Sequence, residues 1–252
     1  MFLDFPLDKN LDFELKESLD NVQRFAAEEG FLPTDLSGLR AWYDAQDIDS
    51  ITLVGDYVSQ WDDRSGNNYH ATQGLAADRL EYLTNHTPAN GYNVLRSDAA
   101  ESASTPDSID TPDIGLCRKV YIVAAYEDGT QSDVLAIGVL FSNTDDLLVR
   151  LLAANTVDAL QFSSGKIEGL KVNGLDYENN AYTMPLPLSV IEVTFNSLGY
   201  SGGYSLGSNN GSSFSWHGPI GEFIFTDGTE SVEEVTQLRD YLYNKWGITP
   251  PA

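Results

Sequence analysis

The stretch GPIGEFIFTDGTESVEEVTQLRDYLYNKWGI, residues 218–248, changes its hydrophobic period at Ser231. In GEFIFTD, Phe223 and Phe225 alternate with polar or smaller neighbours, the period-two pattern of a strand with one face toward a core. Beyond Ser231, Val235, Leu238, Leu242 and Trp246 recur every three or four residues and form one stripe of a helix. Ser231 and Glu234 have the spacing of a capping box, and Gly247 supplies the stop. A strand is therefore expected to lead into a terminal helix that lays its apolar side on a sheet.

Upstream, from about residue 36 to 228, the sequence reads as short strands separated by Gly, Asn, Asp and Ser turns, a sandwich pattern rather than alternating βαβ units. ITLV and YVSQW flank Gly55-Asp56 as a hairpin. KVYIVAAYE (119–127), VLAIGVLF (134–141) and LLVRLLA (147–153) are nearly continuous apolar strands, as expected deep in a two-sheet core. In SVIEVTF, Ile191, Val193 and Phe195 share one face, with Glu192 and Thr194 on the other. The Gly/Ser-rich run 199–215 reads as a long loop. Before the β-rich region, Leu11, Leu15, Leu19, Val22 and Ala26 predict an amphipathic helix within residues 10–29, ended by Gly30 and Pro33. The leading MFLDFPLDK is expected to be an extended anchoring arm. This gives two parts, an arm and helix over 1–32 and a sandwich over 33–252.

The chain of 252 residues carries 14 Lys+Arg against 38 Asp+Glu, a formal net charge of −24. Such a surface repels phosphate backbones and anionic headgroups, so nucleic acid and membranes are excluded as expected partners. The same carboxylates offer oxygens to Ca2+, a possible cofactor, although none is required by the composition. Cys117 is the single cysteine, so no intrachain disulfide forms, and its place before VYIVAAY predicts a buried, inert thiol. The amino terminus lacks the basic start and apolar run of a signal peptide, and no run reaches membrane-spanning length. Activity outside a cell then implies release by lysis or a non-Sec export route.

DLSGLRAWYDAQDID (35–49), VSQWDDRSGNNYHATQ (58–73), KVYIVAAYE, KVNGLDY (171–177), GPIGEFIFTDGTES (218–231) and the helix ending in YNKWGI resemble, in this order, the concanavalin A-like lectin/glucanase superfamily. More closely, they resemble its laminin-G-like domains found in phage virion and bacterial surface proteins. The resemblance runs from about residue 33 to 248 and implies an all-β, two-sheet antiparallel jelly-roll sandwich. It also implies a non-enzymatic virion structural protein (capsid decoration, head fibre or tail fibre) that sits on the virion surface. The amino-terminal arm and helix lie outside the resemblance; they are expected to attach the protein to other virion proteins through residues 1–30, the helix either packing back on the sandwich or pairing with another chain, as in a homo-oligomer. The alternative is a carbohydrate-binding adhesin or receptor-binding module on a cell-surface glycan, and a glycoside hydrolase is the third reading.

The acid pair, serine, arginine and histidine of residues 58–72 invite a catalytic reading. Read against the resemblance they form a turn: Trp61 enters the core, Asp63 or Ser65 bonds nearby backbone, Gly66 or Asn67 takes a positive φ, and His70 lies in a strand. Retaining glucanases need two carboxylates about 5 Å apart, usually from alternate residues of one strand. Glu192 and Glu222 each stand alone on theirs. For glycan binding, Tyr200, Tyr204, Asn209 and Asn210 have the composition of a sugar site, with Trp216 nearby as a core candidate. For a metal, the candidates are Asp145 and Asp146, or Glu127 and Asp128.

Overall fold

The computed structural model describes residues 30–97, 107–127, 139–143, 146–154, 157–162, 165–176, 186–208 and 215–250. The arm and helix expected before Gly30 lie outside the described residues. All the strand pairs are antiparallel, and among the described residues a 16-stranded sheet, 14 strands on one continuous hydrogen-bonded path and two paired to its side, folds into two facing layers. The first layer runs from Val157–Phe162 through Asp146–Ala154, Val139–Asn143, Tyr204–Leu206, Ile109–Asp110 and Ala71–Thr72 to Tyr57–Trp61, with Ile51–Val54 added as a hairpin. Glu81–His86 and Tyr92–Arg96 carry the path across to the second layer. There Ile220–Thr226, Lys119–Tyr126, Leu186–Phe195, Ile167–Val172 and Leu175–Asp176 lie side by side, and Leu39–Asp44 pairs with Ile220–Thr226. The result is a large all-β antiparallel sandwich compatible with a jelly roll.

The alternation seen in the sequence decides which side chains face which layer. Ile191, Val193 and Phe195 point inward with Ile122, Phe223 and Phe225, and meet Phe141, Tyr204 and Trp61 from the opposite layer. The Phe141 and Phe223 rings are 6.2 Å apart edge to face, and Tyr204 and Phe225 are 5.0 Å apart. Cys117 and Trp216 are fully buried in this core. Burial pushes the Cys117 thiol up to about 12, so it stays a protonated, unreactive group.

The long loop expected over 199–215 is in part sheet. Tyr204–Leu206 bridges the strands Val139–Asn143 and Ile109–Asp110, and Tyr200–Ser201 pairs with Leu116–Cys117. The glycines and serines hid these strands because they lower β propensity, while tertiary pairing on both sides outweighs it.

On its outer face the second layer is covered by the helix Val232–Trp246, the single α-helix among the described residues. Ser231 accepts from the Glu234 backbone amide, Glu234 accepts from that of Ser231, and Gly247 ends the helix at φ 59°. Leu238, Leu242 and Trp246 are fully buried against Trp42, Tyr121, Val123, Val190 and Ile224. Each such side chain contributes about 1.5–3 kcal/mol. The helix lies close because Gly221 has no side chain. A Cβ there would come within 2.5 Å of the Trp246 ring. Among the described residues, no helix is long and apolar enough to cross a membrane.

Two outcomes follow from this arrangement. Gly221→Ala pushes a methyl group into the Trp246 indole and destabilises the fold by about 1–3 kcal/mol, read by urea unfolding. The Glu234 carboxylate, bonded to Ser231 and to the Ser37 amide and hydroxyl, is held at about 2, below its usual 4.5. Its contribution is therefore present above pH 4.5 and lost as pH falls toward 2. The melting-temperature gap between wild type and Glu234→Gln should be constant from neutral pH down to that window and close within it.

Candidate functional site

The cluster at residues 61–72 is a turn organised by Asp63. Its carboxylate accepts from the Trp42 amide at 2.9 Å, the Ser65 amide at 2.8 Å, the Ser65 hydroxyl at 2.7 Å and the Tyr69 amide at 3.0 Å. Asp63 is thus saturated by donors, and the Ser65 hydroxyl is one of them, spent on holding the turn. Trp61 is fully buried as expected. Positive φ falls on Gly66 and on Asn68, not Asn67, and His70 precedes the short strand Ala71–Thr72 instead of belonging to it. The His70 ring nitrogen Nδ1 accepts from the Asp63 amide at 3.2 Å, which holds it to the turn.

The densest arrangement of charge lies elsewhere, under the helix. Arg40, Trp42 and Asp44 alternate with the inward Ala41, Tyr43 and Ala45, so Asp44 reaches the outer face. Antiparallel register places it opposite Glu222. The Glu222 side chain is fully buried and accepts four hydrogen bonds. Oε1 takes the Trp42 indole at 2.7 Å and the Tyr241 hydroxyl at 3.3 Å; Oε2 takes the Trp246 indole at 2.7 Å and Lys245 Nζ at 2.8 Å. The same ammonium reaches Asp44 Oδ1 at 2.7 Å and the Tyr241 hydroxyl at 3.0 Å. Asp44 Oδ2 accepts from Arg64 at 2.7 Å, Arg64 pairs with Asp47 at 3.0 Å, and its guanidinium lies 4.3 Å over the Trp42 ring.

Burial, and after it the Asp44 charge, push the Glu222 carboxyl above its usual range, while Lys245 and the Trp246 indole pull it back. Burial raises the Tyr241 hydroxyl as well, keeping it a donor. Asp44 and Glu222 form a close carboxylate pair on this face, bridged by Lys245, and sequence reasoning missed it because the partners come from distant strands. Its signal was present: an acid at an outward position of an apolar strand, and a lysine beside the helix stripe. The space between the two carboxylates is filled by Lys245 and roofed by Trp246, which fits a clamp rather than a substrate site.

The two acids singled out from sequence are not a pair. Glu192 aligns with Tyr121, and Glu222 aligns with Val123 on the same middle strand. Two strand spacings and a two-residue offset put their backbones ~12 Å apart, and each carboxylate is committed to a different side chain of the helix. Glu192 is engaged by Arg239, which donates from Nε and Nη2 at 2.7 Å each. A third acid, Glu230, is buried beside them and accepts from Lys119 at 2.8 Å and the Tyr121 hydroxyl at 3.1 Å.

The other candidates are placed as follows. Tyr204 is 1 % exposed, with its ring packed on Phe225 and its hydroxyl donating to the Tyr200 carbonyl, so it offers no face to a sugar and leaves the set. Tyr200 is partly buried, between Phe195 and Tyr204, with Lys166 Nζ 5.2 Å from its ring centre. Asn209, Asn210, Asp128 and Asp145 lie outside the described residues. Asp146 opens the strand Asp146–Ala154 and pairs in register with Asn143. Glu127 is held by His86 and, at 2.9 Å, by Arg96. Among the described residues, no group of three or more His, Cys, Asp and Glu is placed to hold a metal ion.

Compared with protein-family models, with curated proteins and with solved structures, the chain matches none.

Lys245→Met retains the aliphatic stem but leaves two buried carboxylates facing each other. The loss should be about 3–5 kcal/mol in urea unfolding. A loss under 1 kcal/mol, the range of an exposed ion pair, would contradict the clamp.

Proposed function

We propose that the chain is a non-enzymatic virion component of the decoration, head-fibre or tail-fibre kind, displaying its sandwich outward and attached to other virion proteins through residues 1–30. The observation that carries this reading is the closed outer face of the second layer. Glu192, Glu222 and Asp44, the acids of that face best suited to chemistry, are all engaged in holding the closing helix. A face sealed in this way suits a rigid displayed body more than a catalytic groove. The segments resembling laminin-G-like domains of the concanavalin A-like superfamily, and the net charge of −24, which favours solubility at an exposed surface, support the same reading.

In this account the apolar stripe of residues 11–26 is the attachment element. Deleting residues 1–30 should leave the melting temperature of the sandwich unchanged and abolish incorporation into particles. A truncated chain that incorporates normally would refute it.

The second reading, a carbohydrate-binding adhesin or receptor-binding module, is favoured by one observation. Tyr200 lies at the end of the sandwich beside Leu198, a leucine 81 % exposed. A partly exposed aromatic face next to exposed apolar surface suits a sugar ring. On a glycan array run below its melting temperature, the folded Tyr200→Ala should lose binding, its melting temperature lowered by the ring contacts to Phe195 and Tyr204 that it gives up. Equal binding by the variant would remove this reading.

A further inference from the structure

A cavity of about 140 Å3 opens between the helix and the outer face of the second layer. Its floor follows from strand register. Lys171, Glu192 and Tyr121 form one row across three strands, and Gly169, Thr194 and Lys119 form the next. Val235 and Arg239, one helical turn apart, make the wall. Three of the chain's 14 Lys and Arg residues thus line one cavity of a protein whose net charge is −24.

We propose that this cavity binds a small carboxylate, either the acid group of a single uronic sugar or a free organic acid. The cations are committed to different degrees. Arg239 is fixed by its two bonds to Glu192, and Lys119 is tied to the buried Glu230. Among the described residues, Lys171 pairs only with Asp176, a carboxylate 89 % exposed. An exposed pair of that kind is worth at most about 1 kcal/mol, so an incoming carboxylate displaces it readily. Each ammonium has three donors and spends one on the acid named here, which leaves donors on Lys119 and Lys171 for a ligand. The Thr194 hydroxyl adds another between them, and Gly169 leaves the floor beside it open.

Size sets the ligand class. An apolar cavity of about 150 Å3 holds one six-membered ring, so this one admits a single sugar or small acid rather than a polymer segment. The partly enclosed setting strengthens charge-assisted bonds from the lysines. The proposal is independent of the attachment role of residues 1–30 and of Tyr200.

The test is a titration of the full chain at low ionic strength with sodium glucuronate, sodium acetate and glucose, followed by amide chemical shifts. Glucuronate should give saturable shifts at Gly169, Thr194 and Arg239, and glucose should give none. Lys171→Gln should weaken glucuronate at least fivefold with the melting temperature unchanged. Acetate as tight as glucuronate would identify a free carboxylate as the ligand, and weaker acetate would identify the acidic sugar. Absence of saturable shifts, equal response to glucose, or unchanged affinity in Lys171→Gln would each overturn the proposal. Failure here leaves the particle-incorporation and Tyr200 outcomes untouched, so the readings are separable.

Discussion

Glu222 is a carboxylate placed where water does not reach, and the position of the closing helix depends on how it is satisfied. One of its donors, the Trp42 indole, comes from the sheet; the other three, from Tyr241, Lys245 and Trp246, come from the helix. Without the helix in place, a buried acid would lack three of four partners, and unsatisfied buried charge is among the costliest defects a fold can carry. The helix is held in register as well as in contact. Tyr241 and Lys245 are four residues apart, so both reach the same carboxylate only if the helix neither slides nor rotates.

Apolar contact and charge have separate tasks on this face. Leu238, Leu242 and Trp246 supply most of the binding of helix to sheet through buried area. A buried ion pair seldom adds stability over an apolar replacement of the same shape. What the Asp44–Lys245–Glu222 group adds is position. Arg239 on Glu192 repeats the device at the next turn of the helix, and Glu234 on Ser37 repeats it at the first. Three acid-centred contacts along one helix leave the second layer covered, with the small cavity beside Lys171 as the opening at its margin.

Much of the fold was legible in the sequence, for identifiable reasons. Phe223, Phe225, Ile191 and Val193 face inward because strand alternation is strict, and Ser231, Glu234 and Gly247 mark helix ends because their chemistry is local. The turn after Trp61 was legible as a turn, with Gly66 at a positive φ as one of the two expected positions; a second positive φ falls on Asn68, since Asn tolerates that region and tertiary contacts choose where. The strand at Tyr204 was not legible, because its pairing comes entirely from distant partners. The same is true of the site. Asp44 and Glu222 meet only through the register of strands far apart in sequence, and Tyr204 is inside rather than outside because its strand is paired within the first layer with the ring turned onto Phe225 of the second. Local sequence carries the outward acid and the lysine beside the helix stripe, but not their meeting.

Native-state hydrogen exchange on wild type and Glu222→Gln tests most directly whether this carboxylate governs helix docking. Replacing one acceptor oxygen with an amide donor breaks the match to four donors while conserving shape. The account predicts that the amides of Leu238, Leu242 and Trp246 lose protection by at least tenfold while those of Val120–Ala124 keep theirs. Equal protection of the helix in both proteins would contradict it.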